Sequence, residues 1–210
     1  MSSRPGAERS GAAIGVLGSA FNPPHLGHLA LAQEALWQLD LDEVVLVPTG
    51  EAPHKRIHDD PGRELRLAMT RLAAADDSRF TVSTLEVERD GPSYTYETLE
   101  LLAREKGEPD LVFVMGADAA VGFESWREPL RVVELARLAV ARRSGISDAD
   151  VASVMRSVGA DAEGRATMLE MPQFGVSSSA VRERAAARRP LRYLVPEAVA
   201  RFIEEKGIYA

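Results

Sequence analysis

The sequence predicts an α/β protein built on a doubly wound parallel sheet of about six strands, with helices on both faces. Three observations carry this. Strand-like stretches of four to eight residues, apolar runs or alternating ones, recur six times and are mostly too short for a helix. Between them lie stretches whose apolar residues return at spacings of three and four, as on one face of a helix. No internal repeat, linker or low-complexity segment divides the 210 residues, so the alternation reads as one domain over 12–210, behind a flexible tail over 1–11.

The elements follow in order. Ala12 to Leu17 is an apolar run closed by Gly18 and reads as a buried strand. Leu29, Ala32, Leu36 and Leu39 then mark a helix, and Glu43 to Val47 a second strand ending at Pro48. Two buried strands joined through a helix form a parallel crossover unit. Residues 63–75 look helical, Phe80 to Val87 alternates as a strand, and Tyr94 to Lys106 is helical up to Gly107. Leu111 to Met115 is a strand before Gly116, Pro129 to Leu135 a helix, and Leu138 to Ala141 a strand. A helix over Ser147 to Val158, a last strand over Ala166 to Met171, and helices over Ser179 to Ala187 and Pro196 to Lys206 complete the chain. In such a sheet ligands bind beyond the carboxyl ends of the strands. The residues after Leu17, Val47, Met115 and Met171 therefore carry the most weight.

Composition excludes several chemistries. With no cysteine there is no thiol catalysis, disulfide or thiolate metal site. No apolar run approaches the roughly 20 residues of a membrane span. Met1 to Gly11 lacks the apolar core of a signal peptide, so cytoplasm is the expected location. A formal charge of −7 argues against nucleic acid as a partner, and any anionic ligand must be held by locally placed groups. The sequence is compatible with a homo-oligomer without fixing one.

Local arrangements of that kind occur at the strand ends. After the first strand, Gly18 allows close backbone approach, Pro23 and Pro24 fix the turn, and His25 and His28 fall three apart at a helix start. Unpaired amides and the helix dipole there suit a phosphate. A cap plus a packed ring, or a metal pair completed by His54, His58 or a carboxylate, are the alternatives. Lys55, after His54 in a polar loop, can reach an anion or remain a solvated charge. Thr95 or Ser93 is the expected N-cap of the helix that opens at Ser93-Tyr94-Thr95-Tyr96-Glu97-Thr98. Asp118 at a strand end, with Trp126 and Arg127, could hold a flat aromatic nucleotide by stacking and hydroxyl binding, although a Trp is commonly core. Ser177, Ser178 and Ser179, followed by Arg182, form a second anion site at a helix start.

Pro23-Pro24-His25-Leu26-Gly27-His28 carries the H-x-G-H pattern and resembles the nucleotidylyltransferase superfamily, with its Rossmann-like sheet. The wider Gly18 to His28 stretch, Pro53-His54-Lys55, Ser93 to Thr98, Gly116-Ala117-Asp118 with Trp126, Ser177 to Arg182 and Tyr193 to Tyr209 are similar, in order, to bacterial nicotinate-nucleotide adenylyltransferases. Five positions depart from that pattern: Ser19 and Ala20 stand where the family has Gly and Thr, Glu97 where it has Asp, Ser179 for Thr and Val181 for Ile. The resemblance implies adenylyl transfer from ATP to nicotinic acid mononucleotide, with pyrophosphate released and Mg²⁺ carried mainly on the ATP phosphates and not by a protein metal site. It assigns ATP to Gly18, Ser19, Phe21, His25, His28, Ser177, Ser178, Ser179 and Arg182, with His25, His28 and Arg182 catalytic. It assigns the mononucleotide to Asn22, Lys55, Thr95, Tyr96, Asp118, Trp126 and Arg127. The family's carboxyl-terminal helix is implied to serve chiefly in packing. A sister transferase for phosphopantetheine or a cytidylyl acceptor, and a nucleotide sensor without chemistry, are the rival readings.

Overall fold

The run after Gly11 forms β1 (Ala13–Ser19), buried along Ala13 to Leu17 on both faces as a central parallel strand requires. The structure is a computed structural model that describes residues 11–53, 57–161 and 164–210; most of the expected tail over 1–11, with His54 and Lys55, lies outside them. Beyond β1 come α1 (Leu26–Leu39), β2 (Glu43–Pro48), α2 (Arg63–Ala74), β3 (Phe80–Val82), α3 (Leu85–Glu88) and α4 (Thr95–Lys106). Then follow β4 (Asp110–Gly116), α5 (Ala117–Ala120), α6 (Pro129–Leu135), β5 (Arg137–Ala141), α7 (Asp148–Ser157), β6 (Ala166–Leu169), α8 (Ser178–Ala186) and α9 (Glu197–Lys206).

The six strands pair in parallel throughout, in the order β3-β2-β1-β4-β5-β6. Winding therefore reverses between β1 and β4, where their carboxyl ends splay apart and leave room for a ligand. Strand residues alternate between two cores. Ala13, Leu17, Leu46, Val112, Val114 and Ala139 face α1 through Leu31, Ala32, Ala35 and Leu36. Ile14, Val16, Val45, Val47, Phe113, Leu138 and Val140 face the other way, onto Leu99 and Leu102 of α4, Val132 of α6 and Met155 of α7. A third apolar cluster stands apart, built from Met69 and Ala73 of α2, Val181 of α8, and Leu191, Val199 and Ile203 in and before α9.

Two expected strands are shorter than their patterns suggest. Phe80 to Val87 is not one strand: after Val82 the Ser83 amide still bonds the Leu46 carbonyl, but the Ser83 hydroxyl accepts from the Leu85 amide and the chain turns into α3. β6 ends at Leu169 because the Glu170 amide leaves the sheet for the Gln38 side chain on α1. At α4 the N-cap position falls on Tyr94, with no side-chain bond, so neither Ser93 nor Thr95 caps it. No helix among the described residues is long and apolar enough to cross a membrane.

Candidate active site

Two clefts open at the winding reversal and share the walls Gly18, Phe113 and Trp126. The first, of about 290 Å³, is lined by Ser19, His25, Gly27, His28, Asp118, Arg142, Arg143 and Ser177 among others. The second, of about 380 Å³, lies toward β2 and α4 and is lined by Thr49, Glu86, Ser93, Tyr94, Thr95, Thr98 and Arg127 among others.

The histidine pair forms the floor of the first cleft. His25 occupies the N-cap position of α1 with an extended backbone, and His28 sits one turn in. Their rings stack with centroids 3.8 Å apart. Gly27 makes this packing possible, since a Cβ there would stand 3.0 Å from His25 Nδ1. His28 Nδ1 accepts the His25 backbone N–H at 3.2 Å, which puts the proton of the neutral ring on Nε2, 3.3 Å from the Ser19 hydroxyl. Phe21 packs its ring edge against His28 at 5.0 Å. Burial, aided by Arg143, lowers His25 to about 4. Burial and the neighbouring His25 hold His28 well below the ordinary imidazole value, although its ring keeps part of its surface open to the cleft. Both rings are therefore neutral at neutral pH, and His28 Nε2–H is a hydrogen-bond donor aimed by its own backbone contact.

One buried guanidinium fixes the strand ends under both clefts. Arg66 of α2 is 0% exposed. It donates to Ala20 O at 2.9 Å beyond β1, to Thr49 O at 2.6 Å and Gly50 O at 3.0 Å beyond β2, and to Asp60 at 2.9 Å. Gly50 in turn lies so close to Glu86 that a Cβ would be 2.0 Å from the Glu86 carbonyl. The Glu86 carboxyl accepts from Thr98 Oγ1 at 2.7 Å, and burial raises its pKa despite that bond. Ser93 Oγ is buried beside it in the second cleft and favours the charged carboxylate, as Thr98 does.

A cytidylyltransferase-like family model matches residues 16–184. Over 200 residues the chain is 43% identical to a probable nicotinate-nucleotide adenylyltransferase of Roseiflexus sp. (strain RS-1), covering 95% of this chain and 99% of that one. This chain belongs to the nicotinate-nucleotide adenylyltransferase family. A second relative of that description, from Symbiobacterium thermophilum, is 39% identical over 94% of this chain and 95% of its own length. The fold matches the Plasmodium falciparum nicotinic acid mononucleotide adenylyltransferase complexed with NaAD, at a TM-score of 0.75 over 94% of this chain and 97% of that chain, with 15% identity.

Within this adenylyltransferase scaffold the expected residues separate into groups. Gly18, Ser19, His25, His28, Asp118, Trp126 and Ser177 line the first cleft, and Thr95, Arg127 and again Trp126 the second. Trp126 lines both clefts and also packs on the core, edge-on to Phe113 at 5.9 Å and 5.2 Å from Phe123. Arg127 lies over Tyr94 at 6.0 Å. Others lie behind the walls. Phe21 is buried behind His28, and the Tyr96 hydroxyl donates to Glu97 at 3.0 Å. Asn22 is 3% exposed, and its amide donates to His58 O at 2.8 Å and accepts from Tyr209 at 2.6 Å. The serine hydroxyls are also engaged: Ser177 accepts the Ala180 amide, Ser178 donates to Pro23 O at 2.9 Å, and Ser179 accepts from Arg182. Arg182 holds Asn22 O at 3.0 Å and Asp59 at 3.3 Å.

Arg142 and Arg143 escaped the sequence reading. Arg143 pairs with Asp118 across the first cleft. The strand-end rule could have found both, because they directly follow Ala141 at the end of β5.

Proposed function

We propose that the chain joins the 5′-phosphate of nicotinic acid mononucleotide to the α-phosphorus of ATP, releasing pyrophosphate and giving nicotinic acid adenine dinucleotide. The observation that carries this reading is the common wall of the two clefts: a site for each substrate, meeting at Gly18, Phe113 and Trp126.

The acceptor phosphate is itself the nucleophile, so the protein needs no covalent intermediate. Its task is to align two anions and offset the charge that grows on the leaving pyrophosphate. ATP occupies the first cleft. His28 Nε2–H, held by the His25 N–H at its other nitrogen, donates to a phosphate oxygen and strengthens as charge develops. Arg143 exchanges Asp118 for phosphate, and the amides opening α8 face the same end. Arg182 holds the phosphate-side turn through Asn22 O. The mononucleotide occupies the second cleft, its pyridine ring on Trp126 and its carboxylate on the amides that open α4.

Mg²⁺ fits this site as a passenger on the triphosphate. Asp118 is the one carboxylate among the described residues lining the first cleft, and Mg²⁺ commonly pairs one or two carboxylates with water and phosphate oxygens. When bound it supplies charge neutralisation. The reading places the reaction in the cytoplasm.

Pyrophosphate release from ATP and Mg²⁺, measured with nicotinic acid mononucleotide, its amide counterpart and phosphopantetheine in parallel, tests it. Release is expected to be fastest with the acid mononucleotide. No release with it, or faster release with phosphopantetheine, overturns the assignment.

A further inference from the structure

Residues 185–210 lie beyond the span that the family model matches, yet they return to the triphosphate half of the site. The return is made by two long-range hydrogen bonds. Leu194 O accepts the backbone N–H of Leu26, the first residue of α1, at 3.0 Å. Tyr209 Oη donates to Asn22 Oδ1 at 2.6 Å, across 187 positions of sequence. These grip the histidine turn on both sides, since Asn22 and Leu26 bracket Pro23, Pro24 and His25.

Asn22 is a junction. Its Nδ2 donates to His58 O, its backbone carbonyl accepts from Arg182, and the next carbonyl, of Pro23, accepts from Ser178. The turn that leads into His25 is thereby tied to the start of α8 and to the loop before α2. Tyr209 fixes which way the Asn22 amide faces, because an oxygen must meet the hydroxyl and the nitrogen must meet His58 O. Its placement is itself specified: α9 ends at Gly207 in the left-handed region, Ile208 is buried in the third apolar cluster, and Tyr209 has φ 67. The side chain is half-buried among Arg182, Asp59, Asp60 and Arg66, and burial pushes its pKa up, so the hydroxyl remains a donor.

We propose that Tyr209 is a positioning residue for nucleoside triphosphate binding, acting through Asn22 on the turn that carries His25 and His28 and on Arg182. The inference rests on ATP occupying the first cleft. Without the Tyr209 hydroxyl, the Asn22 amide loses its outer partner and both the turn and Arg182 gain freedom that ATP must then remove.

The test is titration calorimetry of Mg²⁺–ATP and, separately, of nicotinic acid mononucleotide, on the unaltered chain and on Tyr209→Phe, Asn22→Ala and the double variant. Tyr209→Phe keeps the ring and removes one hydrogen bond, so the ATP Kd is expected to rise about three- to tenfold. The mononucleotide Kd is expected to stay within about twofold, and the double variant to bind ATP no more weakly than Asn22→Ala alone. A purely structural residue would weaken both ligands together. Unchanged ATP affinity, equal loss for both ligands, additive losses in the double variant, or failure of Tyr209→Phe to fold each overturns the proposal. An unaltered chain that binds no ATP overturns the triphosphate reading and this one with it.

Discussion

His28→Asn separates the chemistry of the histidine floor from its architecture. His28 makes two polar contacts with opposite duties: Nδ1 accepts the His25 N–H at 3.2 Å, and Nε2 reaches the Ser19 hydroxyl at 3.3 Å at the cleft wall. An asparagine Oδ1 stands near the position of Nδ1 and can take the same backbone N–H, but nothing then reaches the position of Nε2. Removing one donor from a charge-stabilising site typically costs a factor of about 10² to 10³ in kcat, or about 3 to 4 kcal/mol of the barrier. Stability should fall less. The backbone contact survives, and the edge contact with Phe21 at 5.0 Å contributes about 1 kcal/mol. His28→Ala should lose the same turnover and, in addition, about 1 to 3 kcal/mol of stability, because the His25 N–H is left unpaired. Steady-state pyrophosphate release and urea unfolding, measured on both variants, check the argument. A folded His28→Asn with kcat within about threefold of the unaltered chain would refute it. A change confined to the KM for ATP would reassign His28 to ground-state binding.

Arg66→Met should lower the unfolding free energy by about 3 to 5 kcal/mol in chemical denaturation, because it strands Asp60 and three carbonyls that share one buried guanidinium. Acid should destabilise the fold through His25. Its folded value of about 4 lies below the unfolded 6.5, so the unfolded chain takes up the proton first; stability is full above pH 6.5 and falls by about 3 kcal/mol toward pH 4. Urea titrations across that range should show a shallower decline in His25→Gln, and an equal decline would remove the cause. Trp126→Ala should raise the mononucleotide KM about tenfold with a smaller effect on the KM for ATP, and equal changes in both would count against stacking.

The sheet was legible because its strands announce themselves locally: the run Leu111 to Met115 can hardly be anything but a buried strand, and β4 extends it by one residue at each end. β3 was overread because alternation continues through Leu85 and Val87, while the turn at Ser83 is set by a single side-chain bond. The wall of the first cleft was legible where a residue stands at a strand or helix end, as for His25, His28, Asp118 and Ser177. It was not legible where a side chain is claimed by distant partners. Arg66 reads as one more cation on an amphipathic helix, yet its acceptors lie up to 46 positions away. Asn22 was assigned to the mononucleotide by resemblance, and only folding brings Tyr209 to its side chain.

The third apolar cluster gives the enzyme two mechanical parts. Val181, Leu191, Val199 and Ile203 bury themselves against α2 and not in either core of the sheet. The helix that bears Arg182 is thus seated on a small nucleus of its own, whose opening need not disturb β1 or β4. Loosening of that nucleus reaches the histidine turn through Leu194 O and Tyr209, so the seat of Arg182 and the entrance to α1 hang on one small patch of apolar packing.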